Sequence, residues 1–202
     1  TEEDIDPIRF ITNRSSGKMG YAVAIRAQKR GAEVILISGP SELDVPFGTE
    51  FISVRTVAEM QKATTEAFKN ADALIMTAAV LDFRPDTVAL SKIKKSDQGM
   101  TLNLVPNYDF LVELGASKKE RIVVGFAMET ENGLANARKK LERKNLDLIV
   151  LNDLTVAGAG FAVDTNVVSL IEPTGEPTHF PRMSKLEVAD KILDRLMAIW
   201  AA

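Results

Sequence analysis

The sequence predicts an α/β fold of the Rossmann-like kind: a three-layer sandwich around a mostly parallel sheet, with a C-terminal β-hairpin. Short apolar runs at 33–38, 73–80, 122–126 and 148–151 alternate with stretches of helical periodicity, the pattern of βαβ units. Two helices are marked by capping boxes, Thr56 with Glu59 and Ser184 with Glu187. Near the end, Pro173-Thr174-Gly175-Glu176 separates the run at 167–171 from His179-Phe180, as a hairpin turn does. With 202 residues the chain is long enough for one well-filled core and short for two, so a single domain is expected.

The elements follow in order. Residues 1–7 are acidic and without a pattern. Met19, Ala22, Val23 and Ala27 mark the buried face of a helix that begins near Ser16, and Gly31 stands where a left-handed C-terminal residue is wanted. The run at 33–38 reads as a buried parallel strand, 51–54 as a weaker one, and 57–70 as a helix. The run at 73–80 is the most apolar and ends in small residues. From 81 to 99 the periodicity lapses, and a mobile flap carrying Lys92, Lys94 and Lys95 is expected. Strands at 102–105 and 122–126 flank a short helix begun around Asn107. A helix over 131–144 should bury Leu134, Ala137 and Leu141, and the strand at 148–151 ends at Asn152-Asp153. A Gly-rich loop with Gly158 and Gly160 precedes the hairpin. The last helix places Ala189, Leu193, Leu196, Met197 and Trp200 on one face.

The loop from Arg9 to Gly20 has the character of a ligand loop. Ser15, Ser16 and Gly17 let the chain approach a guest closely, and the helix that follows offers unpaired N–H groups and the positive end of its dipole. A phosphate or carboxylate is the expected guest. A Walker A motif is excluded, because the upstream Gly is missing and Met19 replaces the Ser or Thr that would hold magnesium. A dinucleotide fingerprint is absent too. Arg9 and Asn13, four residues apart just before the helix, have no apolar pattern to explain them.

In an open α/β sheet, ligands sit beyond the carboxyl ends of the strands, where Ala78, Ala79, Asp82, Asn107, Phe126, Glu129 and Asn152-Asp153 fall. Any one of Lys92, Lys94, Lys95, Lys140 and Lys144 reads as a solvated surface lysine; together they suggest a polyphosphate. Asp82 could hold magnesium or a ribose hydroxyl, or only cap a turn. His179 is the sole His, and on a hairpin far from the strand ends it reads as structural. Zero Cys excludes a disulfide scaffold and thiol catalysis, and without a His cluster a zinc site is not expected. A net charge of −3 supplies no global field toward nucleic acid or an anionic membrane. With no apolar run approaching ~20 residues and no basic-then-apolar leader, a cytoplasmic protein is expected.

Six ordered blocks carry a resemblance: Asp6-Pro7-Ile8-Arg9-Phe10-Ile11-Thr12-Asn13, Ser15-Ser16-Gly17-Lys18-Met19-Gly20, Ala78-Ala79-Val80 with Asp82, Lys92-Ile93-Lys94-Lys95, Gly125-Phe126-Ala127-Met128-Glu129-Thr130, and Lys144-Asn145-Leu146-Asp147 through Asn152-Asp153. Over nearly the whole chain they resemble the phosphopantothenoylcysteine synthetase family, and the Lys-x-Lys-Lys flap is similar to the bacterial, CTP-using type. The resemblance implies a ligase of coenzyme A biosynthesis that joins 4′-phosphopantothenate to cysteine through an acyl-cytidylate, with CTP as co-substrate and Mg²⁺ as cofactor. It implies a homodimer, natively fused to a flavin-dependent decarboxylase. By the same resemblance Asn13 polarises the acyl group, Arg9 contacts the pantothenate side, and Lys92 closes over the intermediate. Ser15, Gly17, Ala78, Ala79, Asp82, Val105, Pro106, Asn107, Tyr108, Phe126, Lys140 and Lys144 then fall on nucleotide- or intermediate-binding positions. Pro106-Asn107-Tyr108 replaces the family's more usual Lys-Asn-Pro. The family carries a strand and a Gly-Gly-Thr-type loop ahead of the segment at Thr1, so a domain over 1–202 lacking that strand is expected. Two alternatives stand beside this reading: an ATP-using ligase of the same fold, and a non-catalytic nucleotide-binding module.

Overall fold

A computed structural model describes residues 1–95, 99–129, 131–153 and 164–202. Expectations for Ser96, Thr130, Gly158 and Gly160 lie outside these residues. The chain opens with an antiparallel arm, β1 (Glu2–Asp4) on β2 (Phe10–Thr12). Then come α1 (Lys18–Lys29), β3 (Ile35–Ser38), β4 (Glu50–Ser53), α2 (Val57–Phe68) and β5 (Ala73–Met76). A second antiparallel arm pairs β6 (Phe83–Pro85) with β7 (Leu104–Pro106). Beyond it lie α3 (Phe110–Ala116), β8 (Ile122–Glu129), α4 (Gly133–Arg143), β9 (Leu148–Asp153), β10 (Thr165–Asn166), β11 (Val168–Ile171), β12 (Thr178–His179), β13 (Met183–Ser184) and α5 (Lys185–Trp200).

The central sheet has the order β12-β11-β9-β8-β5, with β5, β8 and β9 parallel and the hairpin β11–β12 antiparallel at one edge. This is the expected Rossmann-like, mostly parallel architecture. Alternate residues of the strands feed two cores. Val123, Ile149 and Leu151 pack with Val57, Met60 and Phe68 of α2, Phe110 and Leu111 of α3, and Ala137 and Leu141 of α4. Val124, Leu148 and Val150 pack with Ala22 and Val23 of α1 and Val188, Ala189 and Ile192 of α5. Three layers follow directly from that alternation. Both capping boxes form, with Glu59 N at 3.2 Å from Thr56 Oγ1 and Glu187 N at 3.3 Å from Ser184 Oγ.

β3 and β4 form a separate parallel pair. Among the described residues β3 pairs only with β4 and β5 only with β8, so each shows one edge without a strand partner there. Ala73–Met76 are accordingly only half-buried, whereas Val123 and Val124 beside them are sealed. The sequence reading of 33–38 as a buried strand is corrected at Ile35, which is exposed: among the described residues β4 is the one strand beside β3. Thr1 lies at the carboxyl end of both strands, its amine near Gly39 and its Oγ1 accepting Leu81 N at 3.2 Å.

Other expectations shift locally. The first segment is not patternless, since Arg55 ties Asp4 at 2.5 Å and Glu2 at 3.2 Å, and the Glu3 carboxylate accepts Val57 N at 2.9 Å. Leu134, Met197 and Trp200 are exposed, because α4 and α5 cover the sheet with narrower stripes than the apolar spacing suggested. The flap is tied down in its first half by β6, by Ala89 N on Ile5 O at 3.0 Å, and by Ile93 N on Asp6 Oδ2 at 3.1 Å.

Candidate active site

A cleft of about 220 Å³ opens at the carboxyl ends of β3, β5, β8 and β9 and runs under the start of α1. Asn13, Ser15, Gly17, Ala78, Ala79 and Phe126 all line it. Two glycines allow the approach of α1. Gly17 is its N-cap with φ +76°, a left-handed conformation that disfavours a side chain, and a Cβ on Gly20 would stand 2.6 Å from Thr77 Oγ1. The N-cap Gly17 has no side chain to close the end of α1 and no carboxylate sits in its first turn, so the anion-attracting end of the helix faces the cleft. Asn13 is oriented by the segment that follows β5, its Nδ2 donating to Ala79 O at 3.1 Å and standing 3.5 Å from Val80 O.

The remaining predicted residues lie outside this cleft, in two neighbouring groups. Asn107 Nδ2 donates to Leu81 O at 2.9 Å, Asn107 N donates to Asp82 O at 2.8 Å, and Arg84 holds Pro106 O and Asn107 Oδ1 at 2.8 and 3.2 Å. The segment from Val105 to Tyr108 is thereby locked to the chain leaving Ala78 and Ala79. Tyr108 donates to Glu113 Oε2 at 3.1 Å, and that bond and charge raise its phenol above the ordinary value. Lys144 pairs with Asp109 at 2.9 Å, and Lys140 with Glu129 at 2.6 Å. Burial alone would raise Glu129, but Lys140 and Asn136 hold it below the usual carboxylate range. Lys140 and Lys144 thus sit in ion pairs rather than standing as open surface charges.

The second group joins the flap to the first arm. Arg9 Nη2 donates to Ile93 O at 2.9 Å and its guanidinium lies 3.6 Å from Asp6. Asp6 is fully buried and accepts N–H bonds from Ile8, Arg9 and Ile93. Desolvation would raise its carboxyl, yet those three bonds and Arg9 together keep it below the ordinary value. Lys92, Lys94 and Lys95 are exposed at this anchor.

Asp82 is exposed, and no cluster of three or more His, Asp or Glu among the described residues could cage an ion. Asp82 thus offers a single carboxylate outside the cleft, and Mg²⁺ is usually held by one or two carboxylates together with substrate phosphates. His179 is structural, its Nδ1 2.7 Å from Ser169 Oγ on the hairpin. Sequence reasoning missed Thr77, Asn166 and Lys185, which also line the cleft, as does Gly20 at the end of the predicted ligand loop. No helix among the described residues is long and apolar enough to cross a membrane.

Residues 1–199 match the model of the DNA/pantothenate metabolism flavoprotein C-terminal domain. The chain belongs to this family. It is 52% identical over 200 residues to the coenzyme A biosynthesis bifunctional protein CoaBC of Bacillus subtilis, covering 98% of this chain and 49% of that protein. The Escherichia coli protein of the same name is 41% identical over 201 residues, again with 49% of its length covered. The chain therefore spans about half the length of the curated relatives it matches. Among solved structures, the C-terminal domain of CoaBC aligns with a TM-score of 0.82 at 39% identity, covering 97% of this chain and 89% of that one. A Cab2 mutant solved with phosphopantothenate-cysteine aligns at 0.78 and 18% identity over 100% of this chain and 85% of its own, a likeness of fold alone.

Proposed function

We propose that this domain is a phosphopantothenate–cysteine ligase acting in coenzyme A biosynthesis, that it uses CTP, and that it works through an acyl-cytidylate. The observation that carries the reading is the meeting, in one cleft, of the α1 N-terminus with the carboxamide of Asn13, in a family whose curated relatives include coenzyme A biosynthesis proteins. In the first step a carboxylate oxygen of 4′-phosphopantothenate attacks the α-phosphorus of CTP, the bond to the β-phosphate breaks, and pyrophosphate leaves. In the second the cysteine amine attacks the acyl carbon, CMP departs with the acyl oxygen bond's electrons, and the amine gives up a proton. No enzyme nucleophile is required, so the protein's work is alignment and charge stabilisation.

In this scheme the first turn of α1 holds phosphate oxygens. Asn13 keeps one N–H on Ala79 O and donates the other to the acyl oxygen as negative charge grows there. Asp82 would hold Mg²⁺, which supplies neutralising charge to the phosphates. Lys92 closes from the flap. The segment Val105 to Tyr108, with Lys140 and Lys144, borders the nucleotide. The exposed apolar residues Ile8, Phe10, Phe83, Val88, Leu90 and Leu104 lie on or beside the two touching arms and suit a second copy of the chain, with Arg9 among them. A flavin-dependent decarboxylase domain fits the remaining half of the bifunctional relatives.

The test of nucleotide choice is competition. With phosphopantothenate, cysteine and equimolar CTP and ATP, labelled CTP should supply nearly all of the nucleoside monophosphate formed. Equal use of ATP would place the chain with the ATP-using ligases.

A further inference from the structure

Arg84 sits on an exposed arm, where an arginine is ordinarily solvated surface. Its guanidinium is instead turned along the partner strand. β6 and β7 are three residues each, and their register sets Arg84 opposite Val105 and Phe83 opposite Pro106. Pro106 has no backbone N–H to give to that ladder, so the pairing runs short of donors where the segment toward Tyr108 begins. Arg84 supplies one from its side chain: a single nitrogen, Nη1, lies 2.8 Å from Pro106 O and 3.2 Å from Asn107 Oδ1.

Asn107 completes the clasp from the other side. Its Nδ2 donates to Leu81 O at 2.9 Å and its backbone N to Asp82 O at 2.8 Å. The oxygen of its carboxamide therefore faces a group that can only donate and the nitrogen a group that can only accept, which fixes the orientation of the side chain. Leu81 and Asp82 continue directly from Ala79 and Val80, whose carbonyls face Asn13 Nδ2. A continuous path of chain and hydrogen bonds thus joins Asn13 in the cleft, Asp82, and the segment from Val105 to Tyr108.

We propose that Arg84 is a positioning residue for the nucleotide: it presents the segment from Val105 to Tyr108, together with Asp82, in the arrangement that the nucleotide meets. This rests on the ligase reading above for the identity of the nucleotide. Leu104, Pro106 and Tyr108 are exposed, so apolar packing does little to hold this segment, and without Arg84 the incoming nucleotide has to order it. Order supplied in advance raises affinity without any contact to the ligand. Exposed bonds of this kind contribute little to global stability, so affinity and stability should respond separately.

Calorimetric titration with CTP and Mg²⁺, urea melts and steady-state kinetics are compared for the unsubstituted protein, Arg84→Met and Arg84→Lys. Arg84→Met should keep its urea midpoint while Kd and KM for CTP rise roughly tenfold, the scale of ordering a residue or so on binding. The KM for cysteine and kcat should stay within about twofold, as expected when binding rather than the transition state is affected. Arg84→Lys should recover part of the affinity, since it keeps a cationic donor but not the planar guanidinium. Unchanged CTP affinity in Arg84→Met would overturn the proposal, as would a lowered urea midpoint with equal losses for every substrate, or no CTP binding by the unsubstituted protein. If CTP binds, and binds more weakly to Arg84→Met, yet no amide forms from phosphopantothenate and cysteine, the ligase reading fails and the positioning role stands.

Discussion

Asp6 shows how one buried carboxylate can serve a distant loop. It accepts Ile8 N, Arg9 N and Ile93 N at 2.8, 2.9 and 3.1 Å, so a single side chain fixes both the turn before Arg9 and the anchor of the lysine flap. Its carboxyl lies below the ordinary Asp value, near 3.9, so the stability it contributes is present above about pH 4 and is lost as pH falls through the lower folded value. Asp6→Asn should therefore melt at a lower temperature than the unsubstituted protein at pH 7, with the gap closing as both are acidified below about pH 4. Melting curves at pH 7 and pH 3 check this. A gap of constant size would mean that the charge on Asp6 does not hold the anchor.

At the scale of elements, the flap differs from a plain solvated loop in its attachments. Ile93 is pinned by Asp6 and Arg9 while its neighbours Lys92 and Lys94 point outward, an arrangement that fixes the base of the lysine run and leaves its charges open. Lys92→Gln should leave unfolding free energy within ~0.5 kcal/mol, as surface substitutions usually do, yet lower turnover more than it weakens CTP binding. Urea melts and steady-state kinetics measure the two. Full turnover in Lys92→Gln would reduce the basic run to solvated surface. Elements carried by pattern were legible in the sequence: α2 and α5 through their capping boxes, β8 and β9 through unbroken apolar runs, and the hairpin β11–β12 through its turn. The three-residue strands β1, β2 and β6 were not, because strands so short have no period to read and are held by tertiary partners such as Arg55. The site was legible where loop chemistry marked it, at Asn13, Ser15 and Gly17. Lys185, which lines the cleft from the first turn of α5, carries no loop chemistry to mark it, and its one signal is a lysine in line with the buried stripe of Val188 and Ile192.

At the scale of the whole molecule, the two arms carry exposed apolar side chains, Leu90 fully so, on the side where Arg9 and the flap meet. Burying them against a second copy would place Arg9 at the interface. Sedimentation at micromolar concentration should give two chains per particle, and a fully active monomer would remove any shared site. The central claim is that the cleft activates a carboxylate with CTP and then passes the acyl group to an amine. It is tested most directly by following pyrophosphate in a rapid-quench experiment with phosphopantothenate, CTP and Mg²⁺, before and after cysteine is added, in the unsubstituted protein and in Asn13→Ala. The account predicts a burst of pyrophosphate that needs phosphopantothenate but not cysteine, followed by amide and CMP once cysteine arrives. In Asn13→Ala the burst should survive while amide formation falls about 100-fold, the scale of losing one oxyanion donor. A folded protein that binds CTP yet releases no pyrophosphate would contradict the account and leave a nucleotide-binding module in its place.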